Sequence, residues 1–135
     1  MDTPRLLIVD DSKAQRFIVR KSLQGHPVEI IGEAVDGRDA VNKYVDLRPD
    51  VVLLDLVMPE VDGQTALTDI LDWDPGAKVI ICSSIGSEEA VRDCLSRGAL
   101  SFLQKPFTGE VLMNAILKAS SLKASSHAEA KAGGA

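Results

Sequence analysis

Apolar residues along this chain fall into two alternating patterns. Five short segments are rich in apolar and β-branched residues, at positions 5–9, 28–34, 51–54, 78–82 and 100–104, and three of them are nearly continuous apolar runs. Between them, apolar residues recur every three or four positions and polar residues fill the gaps. Continuous runs of this length are typical of strands buried on both faces, whereas the wider spacing is typical of amphipathic helices. The pattern therefore predicts five strands, each followed by a helix.

Residues at the expected helix ends agree with this alternation. Ser12 with Gln15 predicts a capping box at the start of the first helix. Ser87 and Thr108 are each followed by glutamate, which favours the positive end of a helix dipole, and they predict the starts of the fourth and fifth helices. Gly98 follows the fourth helical pattern, where a left-handed residue commonly ends a helix.

Five strand–helix units in about 120 residues predict one α/β domain, with a doubly wound parallel sheet and helices on both faces in a three-layer sandwich. From about residue 121 the chain becomes rich in alanine and serine. We expect residues 4–120 to form the domain and residues 121–135 to form a flexible tail or linker. Sheets of this class bind ligands beyond the carboxyl ends of their strands, so the residues there are the candidates for chemistry.

Charged and hydroxyl side chains follow four of the predicted strands. Asp10 and Asp11 follow the first, Asp55 the third, Ser83 the fourth and Lys105 the fifth. If the sheet is parallel, these groups converge on one rim. Three carboxylates in one place repel one another unless a cation lies among them, and an open site with oxygen ligands suits Mg²⁺.

The ordered set "LLIVDDS", "VVLLDLVMPEVDG", "VIICSS" and "SFLQKPF" resembles the receiver domain of two-component response regulators. The resemblance covers about residues 4–120 and implies the flavodoxin-like strand order 2-1-3-4-5. It also implies that Asp55 is the phosphoacceptor, which takes a phosphoryl group from a histidine kinase. Asp11, Asp55 and the backbone carbonyl of Val57 would bind Mg²⁺ directly, and Asp10 would act through water.

The same resemblance implies three further roles. Ser83 would sense the phosphate, Lys105 would pair with it, and Phe102 would be the switch aromatic. The Lys105–Pro106 peptide bond is expected to be cis. The output face would be the fourth helix, fifth strand and fifth helix. The closest type is a stand-alone receiver of chemotaxis, a self-phosphorylating signalling protein rather than an enzyme, with the flagellar motor switch or another output protein as its partner.

Composition narrows the class of protein further. The 135 residues carry a net charge of −5, which argues against a nucleic-acid partner. No apolar run approaches the roughly 20 residues of a membrane span, and acidic residues directly behind the first apolar run argue against a signal peptide. The spacing of Cys82 and Cys94 fits neither a metal site nor a disulfide framework. We therefore expect a cytoplasmic monomer with free, buried thiols.

Two alternatives remain open at this stage. The chain could be the N-terminal receiver of a longer regulator of the transcription-factor or methylesterase type, in which case the alanine- and serine-rich end would begin a linker. A phosphatase of the haloacid-dehalogenase type would also use an aspartate nucleophile and Mg²⁺. That family requires a second aspartate two residues after the nucleophile, and Val57 stands there instead.

Overall fold

A computed structural model describes residues 3–58 and 62–122, and in them strands and helices alternate in the predicted order. The strands are β1 (Arg5–Val9), β2 (Glu29–Ala34), β3 (Val51–Asp55), β4 (Val79–Ser83) and β5 (Ser101–Gln104). The helices are α1 (Lys13–Ser22), α2 (Gly37–Leu47), α3 (Gly63–Trp73), α4 (Glu88–Arg97) and α5 (Gly109–Ser121).

All strand pairs are parallel, and the order across the sheet is β2-β1-β3-β4-β5. This is the flavodoxin-like order expected from the sequence. The order reverses at β1, because the chain leaves β1 toward β2 on one side and later returns to β3 on the other. The carboxyl ends of β1 and β3 therefore lie side by side at the place where such sheets bind ligands.

Each face of the sheet packs against its own layer of helices. Alternate residues of β1 point to opposite faces, so that Leu7 and Val9 join the core formed with α2, α3 and α4. Leu6 and Ile8 join the core formed with α1 and α5. Both central strands, β3 and β4, are buried along their whole length. This explains why their sequences are continuous apolar runs.

The helix ends follow the predicted chemistry. Ser12, Ser87 and Thr108 each accept a hydrogen bond from the backbone N–H three residues on, as expected of N-caps. Gly98 ends α4 with φ of 115°, a left-handed conformation that glycine adopts at little cost. Asp62 caps α3 in the same way, although the sequence analysis did not single it out.

Two strands extend one residue further than the apolar pattern predicts. β3 ends at Asp55 and β4 at Ser83, because the ladder pairs Asp55 with Cys82 and Ser83 with Gln104. A strand predicted from hydrophobicity ends at the first polar side chain, whereas the backbone hydrogen bonds of the strand include that residue. Of the predicted tail, Ser121 is the last residue of α5, and positions 123–135 lie outside the described residues.

The edge of the molecule opposite the carboxyl ends of the strands carries an aromatic contact between α2 and α3. Trp73 meets the ring of Tyr44 edge-on, with 6.1 Å between centroids. The guanidinium of Arg48 lies 4.5 Å from the centroid of the Trp73 ring, within the range of a cation–π contact. The Tyr44 hydroxyl donates to Asp74 at 2.7 Å. These contacts join the ends of the two helices.

Candidate functional site

Three carboxylates meet at the point where the strand order reverses. Asp10 and Asp11 follow β1, and Asp55 is the last residue of β3. One oxygen from each lies within 4.8 Å of the other two. Asp10 and Asp55 are buried, whereas Asp11 is exposed. The convergence expected from the strand ends is therefore present.

Burial and charge act together on Asp55. Removal from water raises the pKa of its carboxyl group, the negative charges of Asp10 and Asp11 add to this, and the result is a pKa of about 6. Lys105 and a hydrogen bond from the backbone N–H of Val57 act in the opposite direction but are outweighed. A carboxyl group with this pKa lies in a site that favours an additional cation.

Lys105 is the cation closest to these acids among the described residues. Its Nζ lies 2.8 Å from Oδ2 of Asp10 and 3.6 Å from Oδ1 of Asp55. Burial opposes the charged ammonium, but the hydrogen bond to Asp10 and the charges around it outweigh burial and raise the pKa of Lys105. The Lys105–Pro106 peptide bond is cis, as predicted.

The Asp10 carboxylate is held through both oxygens. Oδ1 accepts from the backbone N–H of Ser12 at 2.9 Å, and Oδ2 accepts from Lys105. The backbone N–H of Asp10 donates to Ala34 at 3.1 Å, which continues the pairing of β1 with β2. A carboxylate fixed in this way leaves Asp11 and Asp55 as the acids better placed for direct contact with a metal ion.

The start of α3 lies close to the end of β3. The backbone N–H of Gly63 donates to the carbonyl of Leu56 at 3.0 Å. A Cβ on Gly63 would lie 2.6 Å from the carbonyl oxygen of Asp55, so only glycine fits there. Gly63 is needed for this close approach and not for a positive φ. Pro59, between Asp55 and Gly63, lies outside the described residues.

Ser83 and Phe102 lie beside the acids rather than among them. Ser83 is fully buried, and its hydroxyl accepts from the backbone N–H of Ile85 at 3.0 Å. Phe102 is half-buried on β5 and packs against the core formed with α2, α3 and α4. The structure thus brings Asp10, Asp11, Asp55 and Lys105 into contact and places the other two side chains on neighbouring strands.

A cavity of about 550 Å³ opens over the acids. Besides the acids and Lys105, its walls include Ile18 of α1, Val57, Ser84 and Phe107. The sequence analysis did not assign Ile18, Ser84 or Phe107 to the site. Ser84 and Phe107 could have been found as neighbours of Ser83 and Lys105, but Ile18 reaches the cavity only because of how α1 packs.

The two cysteines are free and buried, as expected. Cys82 is the ladder partner of Asp55 and therefore lies next to the acids. Burial raises the pKa of its thiol to about 12. The thiol stays protonated at neutral pH and supplies no nucleophile or metal ligand to the site.

The donor set fits Mg²⁺. The three acidic side chains that meet here offer carboxylate oxygens, and the cavity leaves room for water, which Mg²⁺ retains when it binds. Burial and repulsion from Asp10 and Asp11 together raise the pKa of Asp55, and a divalent cation would offset the repulsion. In the part of the chain that the structure describes, no helix combines the length and hydrophobicity needed to cross a bilayer.

Comparison with known proteins agrees with this geometry. Residues 6–117 match the family model of the response regulator receiver domain. The chain is 42% identical over 115 residues to the chemotaxis protein CheY of Listeria monocytogenes, and the match covers 85% of this chain and 97% of that protein. It is 40% identical to CheY of Thermotoga maritima, covering 86% of this chain and 97% of that one.

A solved structure is similar at the level of the backbone. It is the complex of CheX with CheY, BeF₃ and Mg²⁺ from Borrelia burgdorferi, with a TM-score of 0.82 and 36% identity. The match covers 88% of this chain and 90% of that chain. Together with the strand order and the acidic cluster, these matches show that the chain belongs to the response regulator receiver domain family and resembles its CheY type.

Proposed function

We propose that Asp55 accepts a phosphoryl group from a histidine kinase. The observation that carries this proposal is the place of Asp55, a buried carboxylate at the reversal point of the sheet, beside two other acids and 3.6 Å from the Lys105 ammonium. A carboxylate is a competent nucleophile toward phosphorus. One P–O bond forms to Asp55, the P–N bond of the phosphohistidine breaks, and its electron pair returns to the imidazole ring.

Mg²⁺ is the proposed cofactor. Asp11, Asp55 and the backbone carbonyl of Val57 would bind it directly, and Asp10 would act through water. The hydrogen bonds that hold both Asp10 oxygens support this division. When bound, the ion supplies positive charge that offsets the charge of the phosphoryl oxygens. The BeF₃ and Mg²⁺ named with the Borrelia protein are consistent with the same chemistry.

Lys105 and Ser83 would act on the transferred group. The Lys105 ammonium would pair with a phosphoryl oxygen, and the Ser83 hydroxyl would donate to another. In this structure the Ser83 hydroxyl accepts from the N–H of Ile85, and its own hydrogen can donate to the phosphoryl group. These two residues and Asp55 carry self-catalysed transfer and hydrolysis, so the protein is a phosphoacceptor in signalling rather than an enzyme acting on a separate substrate.

The output would leave through α4, β5 and α5. Movement of Ser83 opens space behind the loop after β4, and Phe102 turns inward to fill it. By analogy with the CheY relatives we propose a role in chemotaxis, as a cytoplasmic monomer whose receiver spans residues 4–120. Its partners would be a histidine kinase and an output protein such as the flagellar motor switch, without nucleic acid.

The test is labelling with phosphoramidate, followed by intact-mass spectrometry. Wild type should gain one phosphoryl group in the presence of Mg²⁺ and none in excess EDTA. Asp55→Asn should not be labelled, whereas Asp69→Asn, a change of an exposed aspartate on α3, should be labelled like wild type. Labelling that survives both EDTA and Asp55→Asn would contradict the assignment. Profiling against purified histidine kinases then identifies the physiological donor.

A further inference from the structure

Arg16 makes a buried contact with the backbone behind the acids. It lies on α1, and its side chain is only 11% exposed. One terminal nitrogen, Nη1, donates to the backbone carbonyl of Asp10 at 2.6 Å. Its Nε donates to Oε1 of Glu33 on β2, also at 2.6 Å. The guanidinium therefore joins α1, β2 and the turn that carries Asp10 and Asp11.

The carbonyl that Arg16 contacts has a special place in the chain. The Asp10 N–H donates to the carbonyl of Ala34, the last residue of β2. The Asp10 carbonyl therefore lies past the end of the hydrogen-bond ladder between β1 and β2. That carbonyl and the N–H of Asp11 belong to one planar peptide unit. Fixing the carbonyl fixes the plane, and the plane sets the directions in which the Asp10 and Asp11 side chains leave the backbone.

Glu33 determines how Arg16 can act. Hydrogen bonds from Arg20 and Arg16 lower the pKa of the Glu33 carboxyl despite its desolvation, so it is ionised at neutral pH. Arg20 donates its Nε to the other Glu33 oxygen but is itself half-exposed. The Glu33 charge compensates that of Arg16 and holds its planar fork in one orientation. Arg16 would therefore affect metal binding mainly by orienting the backbone at Asp10, and less by its own positive charge.

We propose that Arg16, held by Glu33, is a positioning residue for the cation site formed by Asp10, Asp11 and Asp55. This inference rests on the proposed Mg²⁺ site. Groups that hydrogen-bond to metal ligands and orient them, without touching the metal ion, weaken metal binding on the order of 10–100-fold when they are removed. Arg16 would act in this way through the peptide plane, without touching the metal ion or the phosphoryl group.

Arg20 provides a matched control. Arg16→Met and Arg20→Met each remove one positive charge and one partner of Glu33, but only the first removes the contact with Asp10. Loss of a cation near the acids would by itself strengthen Mg²⁺ binding. We expect Arg16→Met instead to weaken it by about tenfold, whereas Arg20→Met should change the Kd by less than about twofold, as an exposed charge does.

Mg²⁺ affinity is measured by ¹H–¹⁵N chemical-shift titration, which needs no phosphorylation. In the metal-free protein, the amide signal of Asp11 should move in Arg16→Met and stay in place in Arg20→Met. If Arg16→Met does not fold, Arg16→Lys takes its place. Its single ammonium keeps the charge but cannot hold both Glu33 and Asp10 in the present geometry, so we expect a Kd at least about threefold weaker.

The outcomes separate this inference from the proposed function. If wild type binds no Mg²⁺, the proposed metal site is wrong. If wild type binds Mg²⁺ and a folded Arg16 variant binds it equally or more tightly, the site stands and the positioning role is wrong. Equal weakening in the Arg16 and Arg20 variants would also overturn it, because the effect would then arise from charge or general stability.

Discussion

The Nζ atom of Lys105 lies 2.8 Å from Oδ2 of Asp10, although the two residues are 95 positions apart in the chain. Lys105 lies farther from Asp55, at 3.6 Å. In this state the lysine is thus the counter-ion of a metal-site acid, more closely than of the proposed phosphoacceptor. Its ammonium already neutralises part of the negative charge that would otherwise attract a divalent cation.

This arrangement predicts competition between Lys105 and Mg²⁺. Lys105→Met should strengthen Mg²⁺ binding by at least about fivefold, since about 1 kcal/mol is the repulsion between two unit charges about 4 Å apart in water and Mg²⁺ carries two charges. Phosphorylation of Asp55 should nevertheless slow, because the ammonium that pairs with the phosphoryl group is lost. Lys105→Arg keeps the charge and is the control for affinity. Weaker Mg²⁺ binding by Lys105→Met in a titration would contradict the prediction.

The raised pKa of Asp55 predicts a pH-dependent effect on stability. Its pKa is about 6 in the folded protein and 3.8 without the fold, so folding favours the protonated form. This stabilisation is complete below pH 3.8 and is lost as the pH rises through 6. In EDTA, Asp55→Asn should therefore be more stable than wild type at pH 8 by about 2–3 kcal/mol, and by much less at pH 4.5.

Urea unfolding of both proteins at the two pH values measures this difference. All other titrating groups are common to the two chains and cancel to a first approximation. Asp69→Asn, which changes an exposed carboxylate, should give a difference near zero at both pH values. A stability gain in Asp55→Asn that is the same at pH 4.5 and pH 8 would show that ionisation of the Asp55 carboxyl group is not its cause.

The side chains beside the site predict a slow loss of the phosphoryl group. Val57 is 53% exposed and Ile85 is 56% exposed, and neither can hydrogen-bond to an attacking water. Replacement by Val57→Asn and Ile85→Glu should accelerate hydrolysis at least about tenfold, since a group that takes up a proton contributes on the order of 10²–10⁴-fold. Decay of the labelled protein, followed by intact mass, measures the rate.

The control for this variant is the pair Val57→Ala and Ile85→Ala. It opens the path of the water without adding a hydrogen-bonding group, so any acceleration in it reports shielding alone. If the Asn/Glu variant decays no faster than wild type, the two apolar side chains do not protect the phosphoryl group. They would then be better explained as part of a surface for a partner.

The buried Ser83 hydroxyl predicts how the signal leaves the site. Adding BeF₃ and Mg²⁺ should change the chemical shifts of α4, β5 and α5 in wild type, as the Ser83 hydroxyl turns to donate to the phosphoryl mimic and its contact with the N–H of Ile85 changes. Ser83→Ala should still bind the mimic but should lose the changes on that face. Equal responses in the two proteins, or changes confined to the loops near Asp55, would contradict the mechanism.

Apolar runs such as that of β3 and caps such as Ser12 and Gly98 agree in predicting a parallel sheet whose strand ends meet at one edge. The order of the strands came from the resemblance to receiver domains. The acids follow those ends directly in the sequence, so their convergence could be predicted without coordinates.

Contacts between side chains on different elements could not be predicted in this way. Arg16 reaches Glu33 and the Asp10 carbonyl only because α1 packs across the end of β1 beside β2. In the sequence it is one of several basic residues on an amphipathic helix. The burial of the Ser83 hydroxyl and the place of Ile18 in the cavity wall likewise depend on packing distances that periodicity does not contain.

The aromatic contact between α2 and α3 has a practical consequence for spectroscopy. Trp73 is the single tryptophan of the chain, and it lies with Arg48 and Tyr44 near the amino-terminal edge of the sheet, opposite the acids. We therefore expect its emission to report whether that edge is folded and to change little when a ligand binds at the acids. Intrinsic tryptophan fluorescence is thus suited to following the unfolding of this protein. A fluorescent probe of phosphorylation would need a tryptophan introduced closer to the acids.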